Sequence, residues 1–357
     1  MTEPGKYTYP EIMSQPAAWR SALHEVHEKA HSIREFFVPG HFSEVLFTGC
    51  GSTYYLSMAA AAHFQEKVGC PTRALPASEL ALFPETVLPR AGRPLLVAIS
   101  RSGTTSETLR AIGAFRERCA AKVLAITCYG ENALAKEVPL SIVVREGKEE
   151  SIAQTRSFAG MLVALHAMTA VVVSDDAALR HLAALPAVGQ DLLRRVEPLA
   201  QKLGADDNCQ RFFFLGSGYR YGLACEAMLK MKEMSLSYSE AYHFMEFRHG
   251  PMSMVDDHTL IVGLLSDAAR DEEIAVLRDM RQLGARTLVL AEEGSAEQLQ
   301  ADFSIAFESG VPEGEQGVLY LPALQLLAFH RAMHKGLNPD RPHNLEAVVV
   351  LESFRGT

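Results

Sequence analysis

Residues 47–56 read FTGCGSTYYL and residues 214–223 read FLGSGYRYGL, one phrase written twice at a constant offset. Gly49, Gly51, Tyr54 and Leu56 of the first meet Gly216, Gly218, Tyr221 and Leu223 of the second. Each phrase closes an apolar, β-rich run, turns on Gly-x-Gly and opens a stretch of helical spacing. A strand–turn–helix unit repeated at this distance means two whole domains, because the units of a solenoid are far shorter.

The pattern extends outward from both copies. Around the first, strands are expected over residues 45–48, 95–99, 123–127 and 141–144, with helices over 54–67, 105–119 and 155–173. Around the second, strands fall at 211–215, 259–265, 287–290 and 303–307, with helices at 219–236, 271–283 and 317–335. Strands alternating with helices specify an α/β fold, each parallel sheet flanked by helices. The expected division is a helical lead-in over 1–34, a first domain over 35–178, a linker helix over 179–198, a second domain over 199–340 and a tail over 341–357. A chain of 357 residues has room for two such domains.

Composition removes several classes. A formal charge of −9 without a basic run argues against nucleic acid, and any anionic ligand then needs a dedicated local site. The opening MTEPGKYTYPEIMSQP lacks the features of a signal peptide, and the longest apolar stretch, 160–173, contains His166 and is too short to cross a bilayer. The expectation is a cytoplasmic protein without a membrane partner. Six scattered cysteines with no CxxC read as reduced thiols. His24, His27 and His31 stand at i, i+3 and i+7, but Glu25, Glu28 and Lys29 around them suit a solvated face better than a metal site. Gly49-Cys-Gly-Ser-Thr-Tyr puts tyrosine where a dinucleotide fingerprint has its third glycine, so no nicotinamide cofactor is expected, and no other cofactor or metal either.

Three places carry chemistry. Ser100, Ser102, Thr104 and Thr105 follow a buried strand and open a helix, supplying more hydroxyls than one cap needs. With Thr53 at the first glycine turn they form a phosphate cradle. Glu226, Lys230 and Glu233 stand at i, i+4 and i+7, on one face of a helix rich in Met, Leu and Ala, where proton transfer at carbon is served by shifted acids. An exposed salt-bridge ladder would use the same spacing. His249 precedes Gly250-Pro251, which holds the imidazole on a turn, where it suits the opening of a sugar ring.

The order of GCGSTY, ISRSGTTSETL, ESIAQTRSF, the run from FLGSGYRYGL to FRHGPMSM, and LPALQLLAFHRAMHKGLNPDRPHNL resembles the sugar-isomerase (SIS) superfamily, and within it the isomerase half of glucosamine-6-phosphate synthases. The resemblance implies two tandem flavodoxin-like domains, a phosphosugar partner and a homodimer with a shared active site. It places Thr53, Ser100, Ser102 and Thr105 at the sugar phosphate, with Gly51, Ser52 and Gln154 at the sugar. It also assigns Glu233 to the proton shuttle between C1 and C2, Lys230 to the lysine near the sugar hydroxyls, Glu226 to that lysine's neighbour in the site, and His249 to ring opening from the partner subunit. Arg101 stands where those synthases have glutamine, a cation able to pair with phosphate.

Three departures from the synthases follow. Thr2 stands after Met1 where a glutaminase domain would present cysteine, so glutamine-driven synthesis is not expected. Ala347 replaces the tail lysine that forms a Schiff base, and Gln154-Thr155-Arg156 replaces Ser-Thr-Lys beside the sugar. The resulting expectation is an isomerase, deaminase or deglycase acting on a 6-phosphorylated amino sugar or fructosamine. The alternative is a non-catalytic phosphosugar-binding regulator, which would have no use for the full Glu226, Lys230, Glu233 and His249 set.

Overall fold

The computed structural model of the chain describes residues 3–119 and 121–346. They form two compact units. One holds Ser14–Glu149 and Gln154–Ala183; the other holds Ala184–Leu345 with residues 3–13 and Glu150–Ala153.

In the first unit, strands β1 (Glu44–Gly49), β2 (Thr72–Pro76), β3 (Pro94–Ile99), β4 (Val123–Thr127) and β5 (Leu140–Val143) pair in parallel in the order β2-β1-β3-β4-β5. In the second, β6 (Arg211–Gly216), β7 (Tyr238–Tyr242), β8 (Thr259–Leu264), β9 (Arg286–Ala291) and β10 (Phe303–Ala306) repeat that order as β7-β6-β8-β9-β10. Both are the doubly wound order in which a ligand crevice opens at the carboxyl ends of the first and third strands, where the winding reverses. In one unit these ends are Gly49 and Ile99; in the other they are Gly216 and Leu264.

The central strands are apolar throughout because helices cover both their faces: PLLVAI of β3 and TLIVGL of β8 are buried at every position. Two strands were not expected. β2 (TRALP) and β7 (YSEAY) are sheet edges, partly exposed, and carry proline or charge where a central strand would not. The helix expected over 317–335 is also corrected. Residues Glu313–Tyr320 form a 3₁₀ segment and the α-helix begins at Leu321, with Pro322 in its first turn, where a missing N–H costs nothing.

The apolar stretch around His166 lies in the helix Arg156–Val172, buried at every position from Ser157 to Val171. It packs on the helix Gln15–Glu28, and Gly160 permits the approach: a β-carbon there would meet Val144 Cγ1 at 2.9 Å and Ala18 Cβ at 3.2 Å. No helix among the described residues is long and apolar enough to cross a membrane. The three histidines do not share one helix, because the chain breaks at Lys29 between Gln15–Glu28 and Ala30–Phe36. All six cysteines are free thiols.

The helix Asp176–Gly204 carries the chain from one unit to the other. Within the second unit, early and late residues are tied together. Gly5 N–H donates to Asn338 Oδ1 at 3.3 Å, while Tyr7 N–H, Thr8 N–H and the Thr8 hydroxyl all donate to Asp340 Oδ1 at 3.2, 2.8 and 2.8 Å. Glu11 accepts from the Glu150 and Ser151 amides at 2.6 and 3.4 Å.

Candidate active site

The first glycine turn ends β1 and starts the helix Ser52–Val68. A β-carbon at Gly49 would lie 2.6 Å from Thr53 Oγ1, so glycine is required for the helix start to fold against the strand. Gly51 has φ +53°, a left-handed conformation that glycine adopts without steric cost. Thr53 is buried; its hydroxyl donates to Cys50 O and accepts from Cys50 N–H, both at 2.9 Å. Ser52 opens the helix beside it. Burial pushes the Cys50 thiol up to about 11, so this cysteine is no thiolate nucleophile at neutral pH.

The segment 100–105 leaves β3 and starts the helix Ser106–Arg118. Ser100 Oγ accepts from Gly103 N–H at 3.1 Å and lies 3.0 Å from Thr105 Oγ1. Ser102 Oγ accepts from both Thr104 N–H and Thr104 Oγ1, at 3.2 and 3.0 Å. Thr105 occupies the cap position, yet its side chain makes no capping bond to the helix. The helix start therefore lacks the usual hydroxyl cap while four hydroxyls surround it, an arrangement suited to an anion.

Arg101 turns inward. Only 8% exposed, its Nη1 lies 3.3 Å from Oε2 of Glu149, whose side chain is fully buried. The guanidinium expected to meet phosphate thus has a protein carboxylate as partner. Glu149 also accepts from Thr155 N–H (2.7 Å), Thr155 Oγ1 (2.8 Å), Ser157 N–H (3.2 Å) and Ser157 Oγ (2.5 Å). One carboxylate so ties the 100–105 segment to the loop carrying Gln154, whose Oε1 accepts from Ser157 Oγ at 3.4 Å. Sequence reasoning missed Glu149, since in GKEES it reads as one charge of a solvated run, and both Lys148 and Glu150 are indeed exposed.

The second unit repeats the glycine turn and changes its contents. Gly216 again allows close approach, with a β-carbon falling 2.6 Å from Arg220 O, and Gly218 has φ +58°. Where the first turn has Thr53, this one has Arg220, buried and bonded through Nε to Tyr320 Oη at 2.8 Å and through Nη2 to Glu313. Glu313 Oε1 also accepts from Asp267 N–H at 2.7 Å, and Glu273 from Ser266 N–H at 2.6 Å. The unit's own carboxylates thus bond the backbone N–H groups that follow β8. Burial raises the Glu273 acid to about 7, against the opposing pull of the Ser266 bonds.

The helix Arg220–Ser235 bears the ionic triad. Lys230 Nζ lies 3.4 Å from Glu226 Oε1 and is hydrogen-bonded to Glu233 Oε2. Lys230 and Glu226 are 1% exposed, whereas the Glu233 side chain retains 18%. Spacing alone left a surface ladder open; this burial excludes it. Burial pulls the Lys230 ammonium down, but Glu226 and Glu233 outweigh it and hold it above the ordinary lysine value. The triad presents one accessible carboxylate backed by a permanently charged ammonium. His249 is exposed, on the turn before Gly250, whose φ is +128°, and the 3₁₀ segment Pro251–Met254. Thr2 and Ala347, two of the positions expected to depart from the synthases, lie outside the described residues.

The SIS domain model matches the chain twice, over residues 43–171 and 207–335. The chain belongs to the SIS-domain family. Each match covers one of the two parallel sheets. Among curated relatives, the glutamine–fructose-6-phosphate aminotransferase [isomerizing] of Methanothermobacter thermautotrophicus is 28% identical over 357 residues, covering 99% of this chain and 59% of that protein. The enzyme of the same name from Legionella pneumophila is 30% identical over 307 residues, 85% of this chain and 50% of that protein. The SIS chain thus spans about half the length of the curated relatives it matches. Among solved structures, glucosamine-6-phosphate deaminase from Thermotoga maritima superposes with a TM-score of 0.74 at 28% identity, covering 93% of this chain and all of that one. Tagatose-6-phosphate ketose/aldose isomerase from Escherichia coli gives 0.87 at 23% identity over 99% and 100%, a likeness of fold.

Proposed function

We propose that this SIS protein is a phosphosugar enzyme of the isomerase/deaminase type, acting on a 6-phosphorylated amino sugar or fructosamine by ring opening and proton transfer between C1 and C2. The observation that carries the reading is the triad: a buried, charged lysine held between two carboxylates, of which Glu233 alone reaches the surface. A regulator that merely binds sugar gains nothing from this costly burial. The relatives named above act on hexose or hexosamine 6-phosphates, which supports the substrate class.

In this reading the phosphate is held by Ser100, Ser102, Thr104 and Thr105, with the helix dipole behind them and Thr53 at the neighbouring turn. Gly51 and Ser52 approach the sugar through backbone, and Gln154 through its side chain. Arg101 acts through Glu149, positioning both loops. His249 passes the proton that opens the ring. Glu233 takes the proton from C2 of the open aldose and returns it to C1, and the Lys230 ammonium offsets charge developing on the sugar oxygens. With glucosamine 6-phosphate this shift leaves an imine at C2. Water adds to it, ammonia departs, and fructose 6-phosphate remains.

The test is to incubate the purified protein with glucosamine 6-phosphate and assay ammonia and fructose 6-phosphate. Turnover is expected, and Glu233→Gln should lower kcat by about 10²–10⁴-fold with the fold unchanged by circular dichroism. Binding without turnover across a panel of 6-phosphosugars and fructosamine phosphates would replace this reading with the regulator.

A further inference from the structure

Beside the phosphate segment, in the same unit, lies a cleft of about 340 Å³. Ser102 and Thr104 form one wall, Tyr129, Gly130, Glu131 and Asn132 the floor after β4, and Arg145 and Lys148 the wall after β5. Thr53, Ser100 and Thr105 are not part of it, so it is a neighbouring space rather than the cradle itself. Its size falls at the lower end of the range for small-molecule sites, about 300–1,000 Å³.

Four features make this cleft fit for a ligand. Arg145 and Lys148 place two cations on one wall of a chain whose net charge is −9, and no salt bridge among the described residues engages either. Against them stands one carboxylate, Glu131, exposed on the helix approach. The floor is rigid: Asn132 is buried, donates to Thr127 Oγ1 at 3.0 Å and caps the Ala133–Glu137 helix by accepting from Ala135 N–H at 2.7 Å. Glycine at 130 leaves the Arg145 guanidinium room, since a β-carbon would stand 3.2 Å from Nη1. Tyr129 supplies a flat face, with Lys148 Nζ 5.4 Å from its ring centroid.

We propose that this cleft is a second anion site, taking the phosphoryl group of a small ligand between Arg145 and Lys148, with Ser102 and Thr104 as hydroxyl partners. Guanidinium and ammonium together meet a phosphoryl group by a forked pair of bonds and a point charge. Because Ser102 and Thr104 serve both spaces, occupancy of the cleft alters phosphosugar affinity at the neighbouring cradle. The site itself stands without the phosphate role proposed for 100–105, and its effect on phosphosugar affinity rests on that reading.

Calorimetric titration of the full chain with inorganic phosphate, at constant ionic strength set with chloride, tests this. The wild type should show two binding events. Arg145→Ala/Lys148→Ala, both exposed positions, should lose one of them, weakened by about tenfold or more, and Ser100→Ala/Thr105→Val the other. A phosphate isotherm unchanged by the Arg145/Lys148 pair overturns the cleft whatever the cradle variant does; loss with that pair alone keeps the cleft and removes the cradle. On the unaltered protein, inorganic phosphate should also slow phenylglyoxal modification of Arg145, read by mass spectrometry, and no protection would equally refute the site. Titration with phenyl phosphate and fructose 6-phosphate separates the sources. Heat lost with the Arg145/Lys148 pair for phenyl phosphate but not fructose 6-phosphate marks a separate effector, whereas loss for fructose 6-phosphate marks the sugar substrate.

Discussion

At the scale of single residues, Glu149 shows what a sequence hides. Its five contacts join segments that meet only in the fold, and nothing in GKEES distinguishes it from its exposed neighbours. Glu149→Gln keeps its size and part of its hydrogen bonding but removes the charge facing Arg101. It should raise the KM for phosphosugar about tenfold while kcat changes little. A merely structural carboxylate would instead lower the amount of active enzyme, leaving KM as it was, which steady-state kinetics alongside a melting curve distinguish. By contrast Ser100, Ser102, Thr104 and Thr105 were legible in advance, because four hydroxyls between a buried strand and a helix is a local pattern. The inward turn of Arg101 was not, since a partner forty-eight positions along the chain decides it.

At the scale of elements, the helix Arg220–Ser235 trades stability for its ionic triad. Removing the cation strands Glu226 in the interior, so Lys230→Ala should cost about 3–5 kcal/mol by denaturant melts, more than truncation of an exposed lysine. The Lys230 value is raised on folding, so its contribution is complete below the ordinary 10.5 and is lost as pH climbs through the higher folded value. The helix Arg270–Gln282 works in the other direction. Glu273 rises from 4.5 to about 7 on folding. The folded state therefore holds the proton more tightly, and stability falls as pH rises from about 4.5 to 7. Glu273→Gln should flatten that slope in urea titrations across this window. Elements also set the limit of legibility: β3 and β8 declared themselves as apolar runs, whereas β2 and β7 are strands only because a neighbouring strand offers them a partner.

For the whole molecule, duplication was the most legible property, since the two phrases FTGCGSTYYL and FLGSGYRYGL carry both sheets with them. The use made of each copy was less so, because the exchange of Thr53 for Arg220 shows its meaning only once Glu313 and Tyr320 are seen around it. Assembly is open to direct test. If His249 serves a partner's Glu233, then mixing inactive His249→Ala and Glu233→Gln proteins, unfolded and refolded together, should restore about a quarter of wild-type turnover, because half of random dimers then hold one intact site. Sites built within one chain would yield none.

The bonds from Gly5, Tyr7 and Thr8 to Asn338 and Asp340 carry a consequence for biosynthesis. The helix Thr8–Met13 is synthesised more than three hundred residues before its anchor. At elongation rates of about 5–20 residues per second, it waits on the order of half a minute. During that interval its buried face is uncovered, so the nascent chain should recruit holding chaperones early and release them only once Asn338 and Asp340 have emerged, a schedule that ribosome profiling of chaperone-bound chains would display.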